Sequence, residues 1–157
     1  ARVDAADISP AALAVARRNV KLHRLDKRIR LIRSDLFAGL QGKRYDLIVS
    51  NPPYVTSAAM RRLPAEYRYE PGMALAAGKD GLELVRRILA GAPAHLSPAG
   101  LLACEVGDGR KALERAFPAM PFLWPMDEAF ILDRASMAVD SRRPSRRGRA
   151  RRRGAAP

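Results

Sequence analysis

The sequence holds one cysteine, Cys104, and only two histidines, His23 and His95. A single thiol cannot close an internal disulfide, and it suits a reducing compartment. Cys104 sits in the apolar run "GLLACEV" with no histidine near it in sequence, so it is expected as a buried strand residue and not as a nucleophile. So few thiols and imidazoles support no metal site. No apolar run approaches the roughly 18–20 residues of a membrane-spanning helix. The N-terminal "ARVDAADISP" lacks the basic, apolar, small-residue progression of a signal peptide. These features predict a cytoplasmic protein. No internal repeat is visible at a period of about 20–50 residues, which excludes a solenoid.

Acids are also in short supply, with 16 Asp and Glu against 29 Lys and Arg, for a net charge of +13. The excess is concentrated at one end. Residues 141–157, "SRRPSRRGRARRRGAAP", carry eight arginines and no acid, leaving 21 basic against 16 acidic residues in the body. The segment has no apolar residues to offset the entropy of ordering, so residues 140–157 are expected to form a disordered basic tail. Such a tail would attract RNA or another polyanion without sequence preference. Residues 1–139 are long enough for one domain with a core.

Within that body, strand and helix patterns alternate. Arg2–Ala6 reads as a short strand; Ser9 and Pro10 supply an N-cap and a first-turn proline for the helical "AALAVARRNVKLH". Ile29–Arg33 reads as a second strand and "RYDLIVS" as a third, with Ile48 and Val49 dense enough to predict burial on both faces. A polar, irregular stretch through "LPAEYRYEPGMALAAG" precedes a helix whose Leu82, Leu84, Val85, Ile88 and Leu89 share one face. "GLLACEV" follows as a fourth strand, "RKALERAF" as a short helix, and "FLW" and "AFILDR" as closing strands. The pattern is α/β: a parallel sheet with helices on both faces and an antiparallel edge.

Ligands of open α/β sheets lie beyond the carboxyl ends of the strands. Asp7 closes the first strand, Asp35 follows the second and Asn51 the third. The two oxygens of Asp7 match a vicinal diol such as that of a ribose. Asp35 could accept from the exocyclic amine of adenine, with Leu36 offering a backbone N–H and apolar cover. The string Ser50-Asn51-Pro52-Pro53-Tyr54 is a poor choice for a simple turn, yet it has a chemical rationale. An amide or aniline-like nitrogen is a weak nucleophile because its lone pair is delocalised. Methylating it calls for acceptors that hold both N–H groups: Asn51 Oδ1 as one and the Pro52 carbonyl as the other, with proline setting the backbone. Tyr54 offers a flat face to a planar group. Placement and fixed dipoles would carry most of the acceleration, with no general base acting before transfer.

In order, "DAADISPAALAVARRN", "RSDLF", "YDLIVSNPPYV", the segment from Glu70 to Leu89 and "GLLACEVG" resemble the S-adenosylmethionine-dependent protein-glutamine methyltransferases. The resemblance spans roughly residues 2–138, and the segment between Met60 and Pro93 is most similar to the branch acting on ribosomal protein L-three. It implies a Rossmann-like class I methyltransferase fold and S-adenosylmethionine as cofactor. It also implies Asp7 as the ribose acid, Asp35 and Leu36 as the adenine-side pair, and Asn51, Pro52, Pro53 and Tyr54 as the substrate-amide motif, with Asn51 near the methyl donor. Glu105 takes no role. The family's first strand and Gly-rich loop have no counterpart before Ala1, so residues 1–139 are expected to be an incomplete catalytic domain and the isolated chain inactive. The absent strand is expected between the strands ending at Asp7 and Ser50. Three other functions remain open: release-factor glutamine methylation, methylation of an adenine amine in nucleic acid, and a non-catalytic RNA-binding remnant.

Overall fold

The computed structural model describes residues 1–54 and 80–137; residues 55–79 and 138–157, which include the expected polar stretch and the expected basic tail, lie outside the described residues. Strand β1 (Val3–Asp7) leads through Ser9 into helix α1 (Pro10–Leu22). Ser9 Oγ accepts the Ala12 N–H at 3.2 Å, and Pro10 occupies the first turn, where its missing N–H costs nothing. Strand β2 (Ile29–Arg33) returns parallel to β1, Val3 opposite Ile29 and Asp7 opposite Arg33, and α1 buries Leu13 and Val20.

Strand β3 (Tyr45–Ser50), helix α2 (Glu83–His95), strand β4 (Leu96–Glu105) and helix α3 (Arg110–Ala116) follow, with a 3-10 turn at Gly107–Gly109 before α3. Strands β5 (Leu123–Met126) and β6 (Ala129–Asp133) form a hairpin, and helix α4 (Arg134–Met137) closes the described chain. Strand order is β3-β4-β6-β5, with β3 parallel to β4 and β6 antiparallel to both neighbours. β4 starts at Leu96, ahead of the apolar run that opens at Gly100, because α2 passes directly into it. The added residues pair irregularly: the register shifts between Tyr45 and Leu47, where Gly100 stands so close to the Tyr45 carbonyl that a Cβ would lie 2.8 Å from it.

The core lies under one face of this four-stranded sheet. Leu102 and Cys104 of β4 and Phe130 and Leu132 of β6 pack against Val85, Ile88, Leu89 and Ala92 of α2, Leu113 of α3 and Met137 of α4. Leu84, expected on the buried face of α2, is only partly covered, and Ala92 and His95 complete that face instead. The two-face burial expected of β3 is not found: Ile48 packs against the core, but Val49 is 74% and Leu47 55% exposed. Successive strand residues point to opposite faces, and the described helices of this sheet cover only the Ile48 side.

Among the described residues no backbone ladder joins β1 to β3; the two sheets meet through side chains. Asp4 receives a bidentate contact from Arg30 at 3.0 Å, Lys43 Nζ at 3.0 Å and Tyr45 Oη–H at 2.8 Å. Desolvation, with a further push from the hydrogen bond to Asp4, raises the Tyr45 phenol from 10.0 to about 12. A phenol with a raised folded pKa contributes stability that is complete below pH 10.0 and is lost as pH rises through about 12. Tyr45→Phe is therefore expected to cost about 1.5 kcal/mol at pH 8, the lower end for a hydrogen bond to a charged acceptor. That difference should close above pH 12. Urea melts of the parent and variant across this range measure it; a gap independent of pH would remove the phenol from the tie.

Candidate functional site

Because Tyr45 at the start of β3 touches Asp4 near the start of β1, the two parallel pairs begin at one end of the molecule and finish at the other. Asp7, Asp35 and Asn51 thus emerge along one rim.

Each residue has its own local cause. Asp7 Oδ1 accepts the Ser9 N–H at 2.7 Å, while Ser9 caps α1, so the acid braces the turn with one oxygen and leaves the other outside that contact. Asp7 is exposed. After β2, Ser34 Oγ donates to the Leu36 carbonyl at 2.7 Å and accepts the Gly39 N–H at 2.8 Å, folding the chain back beneath Asp35. This turn holds Leu36 at φ 47°, a left-handed conformation that costs a branched residue about 1–2 kcal/mol. Phe37 then lies on α2, where it stacks on His95 at 4.8 Å and packs over Gly91, whose Cβ would stand 2.9 Å from the Phe37 Cε2 atom. Asp35 is not a free acceptor: its Oδ2 receives Arg87 Nη2 of α2 at 2.7 Å. The ion pair is half-exposed, so it orients the carboxylate more than it stabilises the fold.

At the end of β3, Asn51 is exposed, Pro52 buried, Pro53 exposed and Tyr54 partly buried. Pro52 anchors the motif while Asn51 faces solvent. The Tyr54 ring rests on Gly107 in the turn after β4: a Cβ at Gly107 would stand 2.8 Å from both Cδ2 and Cζ, and Gly107 has φ 51°. No local sequence signal ties the Gly-Asp-Gly stretch at 107–109 to the motif. Its position after a late strand hid the fact that β4 lies next to β3 and delivers Gly107 beneath the motif. Arg87 was missed for a similar reason, being 52 residues from Asp35 in sequence. Cys104 is buried beside this rim; burial, with a smaller push from Glu105, raises its thiol to about 12, which agrees with a core residue. Glu105, beside it at the end of β4, is partly buried. Among the described residues no cluster of His, Cys, Asp and Glu could hold a metal, and no helix is long and apolar enough to cross a membrane.

Residues 1–66 match the family model described as the methyltransferase small domain. A ribosomal protein uL3 glutamine methyltransferase of Bradyrhizobium diazoefficiens is 56% identical over 124 residues, which is 79% of this chain and 39% of that protein. Those of Xylella fastidiosa strain 9a5c and Neisseria meningitidis serogroup A are 56% and 52% identical, over 78% and 79% of this chain and 39% and 41% of theirs. Over about four-fifths of its own length this chain is similar to these glutamine methyltransferases. It spans about two-fifths of the length of these relatives. Among solved structures, a methyltransferase from Pyrococcus furiosus aligns with TM-score 0.54 at 23% identity, over 85% of this chain and 62% of that one. A ribosomal protein L11 methylase from Lactobacillus delbrueckii aligns with TM-score 0.53 at 20% identity, over 84% and 56%. These likenesses establish the Rossmann-like methyltransferase fold.

Gly107 is open to a test that needs no catalysis. Gly107→Ala should destabilise the chain twice over, by about 1–2 kcal/mol for an L residue at positive φ and by a further ~1–3 kcal/mol for displacing the Tyr54 ring. Combined with Tyr54→Ala only the first part should remain. Thermal melts of the single and double variants measure this, and equal penalties in both backgrounds would show that the ring does not rest on Gly107.

Proposed function

We propose that the chain is part of the catalytic domain of a cytoplasmic enzyme that methylates the side-chain amide of a glutamine in the large-subunit ribosomal protein L-three, with S-adenosylmethionine as methyl donor. The observation that carries this reading is the Asn51-Pro52-Pro53-Tyr54 string at the end of β3. Pro52 is buried, Asn51 exposed and Tyr54 seated over Gly107, on the same rim as Asp7 and Asp35. High identity to curated uL3 glutamine methyltransferases supports the substrate class.

The rim suits the adenosine half of such a cofactor. Asp7 keeps one oxygen outside the Ser9 contact for a ribose hydroxyl pair. Asp35, held by Arg87 through Oδ2, keeps Oδ1 for an amine, and Leu36 lies beside it. When bound, S-adenosylmethionine supplies an electrophilic methyl on a sulfonium. The remaining work belongs to the chain's own groups. Asn51 Oδ1 and the Pro52 carbonyl accept the two amide N–H groups, opposing delocalisation of the nitrogen lone pair, and Tyr54 covers the flat amide. An amide nitrogen that takes a methyl gains positive charge until it gives up one of its N–H protons to solvent, so fixed acceptor dipoles near it would stabilise the transition state more than the ground state.

In the full enzyme, Asn51→Ala should remove one acceptor and lower kcat about 30- to 1,000-fold, roughly 2–4 kcal/mol, with the melt nearly unchanged. Asp7→Ala should instead weaken cofactor binding with a smaller effect on kcat at saturation. Methyl transfer to ribosomal protein L-three and calorimetric titration with S-adenosylmethionine separate the two. An Asn51→Ala enzyme within twofold of the parent would refute the role of the amide, and label appearing only in nucleic acid would replace the glutamine substrate with an adenine amine.

A further inference from the structure

The charge of the described body is concentrated in one place. Residues 8–34, which form α1, its following turn and β2, hold eight Arg and Lys against one acid, Asp26, whereas residues 80–137 hold six against eight acids. Arg17, Arg18, Lys21, Arg24, Lys27 and Arg28 are all exposed. Among the described residues none of the six forms a salt bridge.

A purely structural role does not account for this cluster. A cation in the last turn of a helix complements its dipole, and Lys21 serves that end. Arg28 has a structural partner too, donating from Nε to the Ala1 carbonyl at 3.3 Å, but Arg17 and Arg18 add like charge to the helix. Arg17 and Lys21 are four residues apart and Arg18 and Lys21 three apart on the same helix, spacings at which like charges repel by about 0.2–0.5 kcal/mol per pair. Arg24 adds to the crowding from a left-handed turn position at φ 55°. A bound polyanion would convert these repulsions into attraction.

The proposed methyl transfer makes no use of this surface either. α1 begins beside Asp7 and runs about 20 Å at 1.5 Å per residue, so its basic end lies far from the rim, and neither a sulfonium cofactor nor a neutral amide carries a phosphate. We propose that the α1–β2 hairpin is a docking surface for double-helical RNA, gripped through its phosphates. The choice of RNA rests in part on the proposed ribosomal-protein substrate, since RNA is the polyanion that surrounds such a protein. Arginine, four of the six cations, suits phosphate through its planar two-pronged donor set. Residues 8–34 contain no aromatic residue. That argues against base stacking on single strands and against the aromatic anchoring of a membrane-surface helix.

Fluorescence anisotropy of the full chain with an RNA hairpin, between about 50 and 200 mM salt, tests the proposal. Changing Arg17, Arg18, Lys21 and Arg24 together to Gln should weaken binding at least ~10-fold and flatten the dependence of log K on log salt by about 2–4. Lysine at the three arginine positions should preserve most of the affinity. Changing four tail arginines to Gln, Arg146, Arg147, Arg149 and Arg151, should have the smaller effect. Unchanged circular dichroism would confirm that the variants fold, as expected for exposed positions. The proposal is overturned if the hairpin variant binds within twofold of the parent, if the tail variant alone carries the loss, or if phosphatidylserine vesicles capture the chain more tightly than the RNA. RNA binding is read without methyl transfer, so a failure of the glutamine-methylation reading would leave this measurement independent.

Discussion

Much of the described architecture depends on one carboxylate. Asp4 gathers donors from Arg30 on β2, Lys43 just before β3 and Tyr45 at the start of β3. It binds two sheets that share no backbone ladder among the described residues. Its side chain is only 16% exposed, so these contacts form in a poorly solvated setting, where a carboxylate without partners would be costly. The tie sits at the amino ends of the strands. The candidate site sits at their carboxyl ends, and the relative placement of Asp7 and Asn51 is therefore set from below by a polar contact several residues away from either.

A second constraint acts at the rim itself. The motif after β3 is steadied from β4, which brings Gly107 under Tyr54, while Arg87 of α2 reaches Asp35 from the other side. α2 is in turn held by the apolar face that packs on β4 and β6 and by the Phe37–His95 stack. The Asp35 turn and Tyr54 thus rest on elements belonging to the same core, which couples the geometry of the two without a direct contact between them. Charge is distributed on a different plan. The four-stranded half is slightly acidic and the α1–β2 segment strongly basic.

Most of the secondary structure was legible in sequence because each element carries a local signal. Ser9-Pro10 marks the start of α1, period-two and apolar runs mark β2, β3, β5 and β6, and a single apolar face marks α2. The boundaries that moved did so for tertiary reasons. β4 begins early because α2 feeds straight into it, and β1 extends to Asp7 because Arg33 of β2 lies opposite. Val49 was misjudged because hydrophobic density along a strand reports that a sheet exists, not how many of its faces are covered.

For the candidate site, residue type, strand order and the family resemblance together named Asp7, Asp35, Leu36, Asn51, Pro52, Pro53 and Tyr54 as candidates, since an acceptor-rich, proline-stiffened strand end is written in consecutive residues. The supports were not. Gly107 beneath Tyr54, Arg87 on Asp35 and Asp4 across the sheets are pairings between residues about 40 to 50 positions apart, and no local pattern announces them. Sequence alone determined which groups stand at the ends of the strands, because propensity, capping and hydrophobic period act over a few residues. Only the tertiary structure decided what holds those groups in place, because strand order and helix packing bring distant residues together through burial shared by the whole core.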